Sequence, residues 1–253
     1  MASKSHRRAG EGPAAGKGPS GRVSCRHCAF NTLCLPGRLA PEEARVLEQA
    51  MERGRLLPAG GSLIRAGARM DALYVVRSGS AKRYTVTVDG AERVHGFHLP
   101  GEAVGLEGFA RGHYACEVSA LEPLRYCRIP LSRLEPLFET LPGLRREILR
   151  LLAQALEDAQ RLRTELGQCD ARDRVARFLA DLSLRLERRG LSPTQLRLSM
   201  SRSDIAHHLG LTLETVSRVL GAFKREGSLL VRARHVTLLR PEAFAASLAA
   251  PSA

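Results

Sequence analysis

No apolar run in this 253-residue chain approaches the roughly 18–20 residues needed to cross a bilayer, so no helical membrane span is expected. The basic residues at the start lead into no apolar h-region. No secretory signal is therefore expected, and the chain reads as cytoplasmic. Enzyme signatures are missing as well: there is no Gly-rich phosphate loop, no H-E-x-x-H and no credible catalytic triad. The chain is not expected to be an enzyme. No paired histidines follow the N-terminal cysteines at finger spacing, which excludes a C2H2 zinc finger. No internal repeat is visible.

What remains is an ordinary globular composition with an uneven charge. The apolar fraction is 44%, and the length suits one large or two small domains, each with a real core. The formal net charge is +13. Residues 1–22 hold five Lys/Arg against one Glu, and residues 170–240 hold fourteen against seven Asp/Glu. A basic C-terminal third suits a domain that contacts phosphates, although a solvated basic surface would look the same.

Patterning divides the chain into five parts. Residues 1–21 are rich in Gly, Ser, Ala and basic side chains and read as a disordered basic tail. Residues 22–140 read as a cysteine loop followed by a β-roll. Pro41-Glu42-Glu43 opens a helix to about Arg53, with Pro at its first position and carboxylates at the positive end of the dipole. Short apolar stretches follow at Ala72–Val76, Ala81–Val88 and Val94–Leu99, punctuated by turns such as Asp89-Gly90, a hairpin signal. Over 141–168, Leu144, Ile148, Leu151, Leu152, Ala155, Ala159, Leu162 and Leu166 form a narrow apolar seam on one long helix. The seam suits a helix pairing with a second copy; packing within its own domain is the alternative. Residues 169–240 read as a winged helix-turn-helix, and 241–253 as a C-terminal tail.

The DNA-reading pattern is the stretch from Asp204 to Leu220. Ala206 is small where two helices cross, and Gly210 ends the first of them. Thr212 caps the second, whose apolar face is Leu213, Val216 and Leu220. Glu214, Ser217 and Arg218 share the opposite face, where Arg suits guanine and Glu the cytosine amino group. A plain amphipathic hairpin with a Glu214–Arg218 surface pair would show the same spacing. Leu229–Val231 and Val236–Leu239, joined by Arg232-Ala233-Arg234, make a plausible wing.

Six cysteines occur, of which Cys25, Cys28 and Cys34 stand at C-x2-C-x5-C. In a cytoplasmic chain such thiols are ligands or redox groups more often than disulfides. A [4Fe–4S] cluster needs four thiolates, so a fourth must come from Cys116, Cys127 or Cys169. His27 could also serve as a ligand. A zinc site or accidental surface thiols are the bland alternatives.

The chain from about Ser24 to Leu239 resembles the CRP/FNR family of bacterial regulators. The resemblance rests on Leu73-Tyr74-Val75-Val76-Arg77-Ser78-Gly79, on Gly96-Phe97-His98-Leu99-Pro100-Gly101-Glu102, and on Gly210-Leu211-Thr212-Leu213-Glu214-Thr215-Val216-Ser217-Arg218. It implies an α+β fold: an N-terminal jelly-roll of the cyclic-nucleotide-binding type, a long dimerisation helix and a C-terminal winged helix-turn-helix. The Glu-x-x-Ser-Arg pattern is that of the FNR branch, which implies that Glu214, Ser217 and Arg218 read a TTGAT-like half-site. The branch also implies a [4Fe–4S] cluster on Cys25, Cys28, Cys34 and Cys127, a homodimer on palindromic double-stranded DNA, RNA polymerase as a partner, and oxygen as the signal. Nitric oxide or thiol redox are alternative signals at the same cysteines. Tyr114-Ala115 stand near where the family's cyclic-phosphate Arg-Ser or Arg-Thr pair belongs, so no cyclic nucleotide is expected.

Overall fold

The computed structural model describes residues 25–249; the tail expected over 1–21 lies outside them. Three short 3-10 turns, Cys25–His27, Asn31–Leu33 and Leu35–Arg38, carry the cysteine loop. They lead into α1 (Pro41–Ala50), which has Pro at its first position and Glu42 and Glu43 in its first turn. The roll follows as β1 (Glu52–Arg53), β2 (Ser62–Ile64), β3 (Ala72–Ser78), β4 (Ala81–Val86), β5 (Glu92–His98), β6 (Ala103–Val104), β7 (Glu117–Ala120) and β8 (Arg125–Pro130). Next come α2 (Leu131–Thr140), α3 (Pro142–Gln168), α4 (Ala171–Glu187), β9 (Gln195–Arg197), α5 (Arg202–Leu209), α6 (Leu213–Arg225), β10 (Leu229–Arg232), β11 (His235–Leu238) and α7 (Pro241–Ala249). Among the described residues, no helix is long and apolar enough to cross a membrane.

Two antiparallel four-stranded sheets make the roll, in the orders β1-β8-β3-β6 and β2-β7-β4-β5. Alternation along β3 divides its side chains between two cores. Tyr74 and Val76 join Ile64, Val104 and Val118 inside the roll. Leu73 and Val75 face outward to a second core with Cys127 and Ile129, their register partners on β8. Cys25, Cys34 and Leu35 close that second core from the cysteine loop, and Leu144 and Ile148 close it from α3.

The third core belongs to the DNA-binding region but also takes in Val94, Phe97 and Leu99 from the roll. Phe97 meets Phe178 and His208 edge to face, with centroids 5.9 and 5.2 Å apart. Polar ties reinforce the contact: Lys82 Nζ to Asp204 Oδ1 at 2.8 Å, Ser80 Oγ to Ser199 Oγ at 2.7 Å, and Arg197 Nη1 to Glu122 Oε2 at 2.9 Å.

The structure corrects the sequence reading in three places. The first helix stops at Ala50, because Glu52 and Arg53 pair with Arg128 and Cys127 of β8. The expected tail from 241 is helical as far as Ala249, and buries Phe244 against the Phe223 ring at 5.2 Å. Pro241 and Glu242 opened that helix legibly. Finally, the wing is a three-stranded sheet, with β9 pairing to β11.

Candidate functional site

Four cysteines from two distant parts of the chain line one cavity. Cys25, Cys28 and Cys34 reach it from the cysteine loop and Cys127 from the middle of β8; Phe30, Asn31, Met51, Val75, Val76, Arg77 and Gly101 complete its walls. The loop is held by its own backbone: Cys28 N–H donates to Cys25 O at 3.0 Å, and Cys34 N–H to Phe30 O at 3.0 Å. Glu48 Oε1 accepts from the Cys25 N–H at 2.8 Å, which ties the loop to α1. Cys25, Cys34 and Cys127 are buried.

The electrostatics suit a donor set that needs a cation. Burial pushes the Cys25 thiol up to about 12, helped by Glu48, Cys127 and Cys28 and opposed by Arg77. Burial, then Cys127, Cys25 and Cys28, pushes Cys34 higher still. Cys127 is also raised by burial, against the pull of Arg77. Four soft sulfur donors that repel one another as thiolates, inside an apolar wall, fit an iron–sulfur cluster. Among the described residues, no three His, Cys, Asp or Glu side chains are grouped as a site for a single metal ion. His27 is exposed and does not line the cavity. Cys116 lies elsewhere, where burial raises its thiol beside Arg83 and Glu107. Cys169 caps the C-terminal end of α3.

Arg77 is the wall residue that pattern reading missed. The β3–β8 register shifts between Val76 and Ser78, so Arg77 has no partner on β8. Such a bulge re-aims a side chain, and its position is not written in local sequence.

The DNA-reading element is built as its residues require. Ser201 and Asp204 form a capping box at α5, and Gly210 ends that helix at φ 61°. The Thr212 side chain accepts from the Thr215 N–H at 3.2 Å to start α6. Val216, Val219, Leu220 and Phe223 form the buried face. Leu213, expected in that face, is 44% exposed, since it stands in the first turn before α6 reaches the core. Glu214 and Arg218 are exposed and Ser217 is half-buried, 3.4 Å from Arg202 Nη1.

On α3 the expected seam divides. Leu144 and Ile148 are buried in the chain's own core and offer nothing to a partner. Leu151 and Leu152 pack half-buried against that core. Leu162 and Leu166 are also half-buried, and Leu166 Cδ2 lies within 3.3 Å of where a Gly210 Cβ would stand. Ala155 and Ala159 are exposed, and so are Leu149 at 61% and Leu156 at 60%, two residues outside the expected seam.

Residues 55–140 match the cyclic nucleotide-binding domain family, and residues 173–247 the Crp-like helix-turn-helix domain family. The chain is 38% identical over 224 residues to the fumarate and nitrate reduction regulatory protein of Salmonella typhi, covering 88% of this chain and 90% of that protein. It is 37% identical over 223 residues to the protein of the same name from Escherichia coli, covering 88% and 89%. Among solved structures, FixK2 from Bradyrhizobium japonicum superposes with a TM-score of 0.72 at 28% identity, over 80% of this chain and 99% of that one. The c-di-GMP responsive global regulator CLP of Xanthomonas campestris gives 0.63 at 27%, over 79% and 99%.

Proposed function

The chain belongs to the CRP/FNR family of transcription regulators, on its FNR branch, and from that premise we propose that it controls anaerobic gene expression through the cysteine cavity. It is a DNA-binding transcription regulator and not an enzyme. The observation that carries the proposal is the convergence of Cys25, Cys28 and Cys34 with the distant Cys127 on one cavity. These four residues would hold a [4Fe–4S] cluster, which supplies an oxygen-labile state when bound. The protein acts in the cytoplasm.

The chain's own contacts supply a route from loop to assembly. Leu35 packs with Leu144 and Ile148, Arg38 Nε stands 3.4 Å from Glu147 Oε1, and Glu43 Oε1 accepts the Gly143 N–H at 2.8 Å. Order in the cysteine loop thus fixes the first turns of α3. Farther along, Leu149, Leu152, Leu156 and Ala159 keep a three-four-three spacing on one line, which is the dimer seam in this reading. Burying each exposed leucine would contribute roughly 1.5–3 kcal/mol. Pairing sets two α6 helices on a two-fold palindrome, where Glu214, Ser217 and Arg218 read a TTGAT-like half-site. RNA polymerase is the expected partner on the promoter. Cyclic nucleotide is not expected as the signal: the Tyr114 hydroxyl is occupied by Ala72 O at 2.6 Å and Asp71 Oδ1 at 3.1 Å, and no arginine stands beside it in the chain.

Anaerobically purified protein should contain iron and acid-labile sulfide and show a broad visible absorbance that bleaches in air. Serine at Cys25, Cys28, Cys34 or Cys127 should abolish it, while Cys116→Ser and Cys169→Ser should not. A colourless, zinc-containing protein would point to a structural site instead. Arg218→Ala should cost about 1–3 kcal/mol on a cognate half-site. Equal losses on cognate and scrambled DNA would remove its base-reading role.

A further inference from the structure

The Gly101-Glu102 turn touches two regions that the assembly route leaves apart. Gly101 has φ 91°, which favours glycine. A Cβ there would stand 3.0 Å from Leu33 Cβ and 3.8 Å from the Cys34 nitrogen, so the turn is seated against the cysteine loop. Its N–H donates to Val76 O at 2.8 Å, and both residues line the cysteine cavity.

On its other side, Glu102 holds the DNA-binding domain. Arg185 Nη2 donates to Glu102 Oε2 at 2.7 Å, and Arg189 Nη2 to Glu102 Oε1 at 2.6 Å. The same guanidinium groups donate to Phe97 O at 2.6 Å and Pro100 O at 2.9 Å. Arg185 lies in the last turn of α4, and Arg189 follows the Arg188 cap of that helix. The Arg189 side chain is only 4% exposed. Glu102 is half-buried and clamped by two guanidinium groups, one of them buried, so the turn is tied to the end of α4. α4 in turn shares its core with α6: Leu179, Val216 and Leu220 belong to one buried cluster.

We propose that Glu102 is a positioning residue: seated through Gly101 on Leu33 and Cys34, it holds α4 by Arg185 and Arg189 and passes the state of the cysteine loop to the DNA-binding domain without the dimer helix. The inference rests on the cysteine loop being the sensor. Lys82–Asp204 joins the same two domains from β4, bonding to neither Glu102 nor its two arginines, and serves as the control.

Hydrogen exchange of the full-length protein, cluster-loaded and after air treatment, tests this. In the wild type, peptides across 182–190 change protection with loading. Glu102→Gln loses that change, while peptides across the exposed face of α3 still respond and iron, sulfide and sedimentation stay as in the wild type. Arg185→Gln breaks the pair from the opposite domain and gives the same loss, which covers poor folding of the first variant. Lys82→Gln keeps the change, whereas a merely structural tie would behave alike in all three. The inference is overturned if 182–190 is silent in the wild type, if Glu102→Gln and Arg185→Gln transmit in full, or if Lys82→Gln loses the change too. A wild-type protein holding neither iron nor sulfide overturns the sensor reading itself, and this inference with it. Metal analysis reads that outcome before any exchange is measured.

Discussion

Along α3, Leu144 has no exposed surface and Leu156 keeps 60% of its own. Leu144 belongs to the apolar seam read from the sequence, and Leu156 stands beside that seam, next to Ala155. The first stretch is anchored by Leu35, by the Arg38–Glu147 pair and by Glu43 at its N-terminus. The second touches little: residues 153–161 are all exposed. Periodicity therefore reports that a stripe is apolar, not what covers it. One helix thus holds an end packed on the cysteine loop and, farther along, a stretch left exposed.

The largest effect on folding is expected at the anchored end. Leu144→Ala should cost about 2–5 kcal/mol by urea denaturation, because it empties a closed core. Leu156→Ala should stay within about 0.5 kcal/mol in the monomer. Equal losses at both sites would erase the contrast. Acid should act through a histidine of the roll. Burial lowers His98 from 6.5 to about 4, with Arg83 adding to it and Glu102 opposing. Between those values the unfolded chain binds a proton that the folded one refuses. Stability should then fall by about 1.4 kcal/mol per pH unit from pH 6.5 toward 4, and His98→Asn should flatten that slope.

The open end should respond in assembly rather than in folding. Leu156→Glu should leave the melting temperature of the monomer and its iron content unchanged, yet stop dimers in sedimentation and abolish specific DNA binding. A constant dimer in this variant would move the seam elsewhere. A small effect is expected at Asp158, which pairs with Arg161 at 2.9 Å on the exposed side. Asp158→Ala should change folding by at most about 0.2–1 kcal/mol and shift the dimer equilibrium toward pairing, including after air exposure.

Much of the architecture was legible, for identifiable reasons. The roll's strands announced themselves through alternation and the Asp89-Gly90 turn, and α6 through the Gly210 stop and Thr212 cap. The three N-terminal cysteines share one local motif, so their convergence follows from spacing. Cys127 does not: its place opposite Val75 is a matter of sheet register. The Arg77 bulge and the Glu102 pair were hidden for the same reason, since both depend on segments distant in sequence. α2 escaped notice because Pro136 interrupts its pattern. Leu144 and Ile148 were read onto the seam because a single chain's sequence does not separate intramolecular from intermolecular burial.

Asp204 bears on whether the DNA reader is portable. Its Oδ2 accepts the Ser201 N–H at 2.9 Å and completes the capping box of α5, while its Oδ1 receives Lys82 from the roll. Burial works against the carboxylate, but Lys82 and Ser201 hold it below the usual range. A chimera that moved residues 169–249 onto another sensor would leave Lys82 behind. The transplanted α5 would keep its cap but carry a buried carboxylate without the Lys82 cation. Supplying a lysine or arginine at the matching strand position of the recipient is therefore a design condition for any such graft.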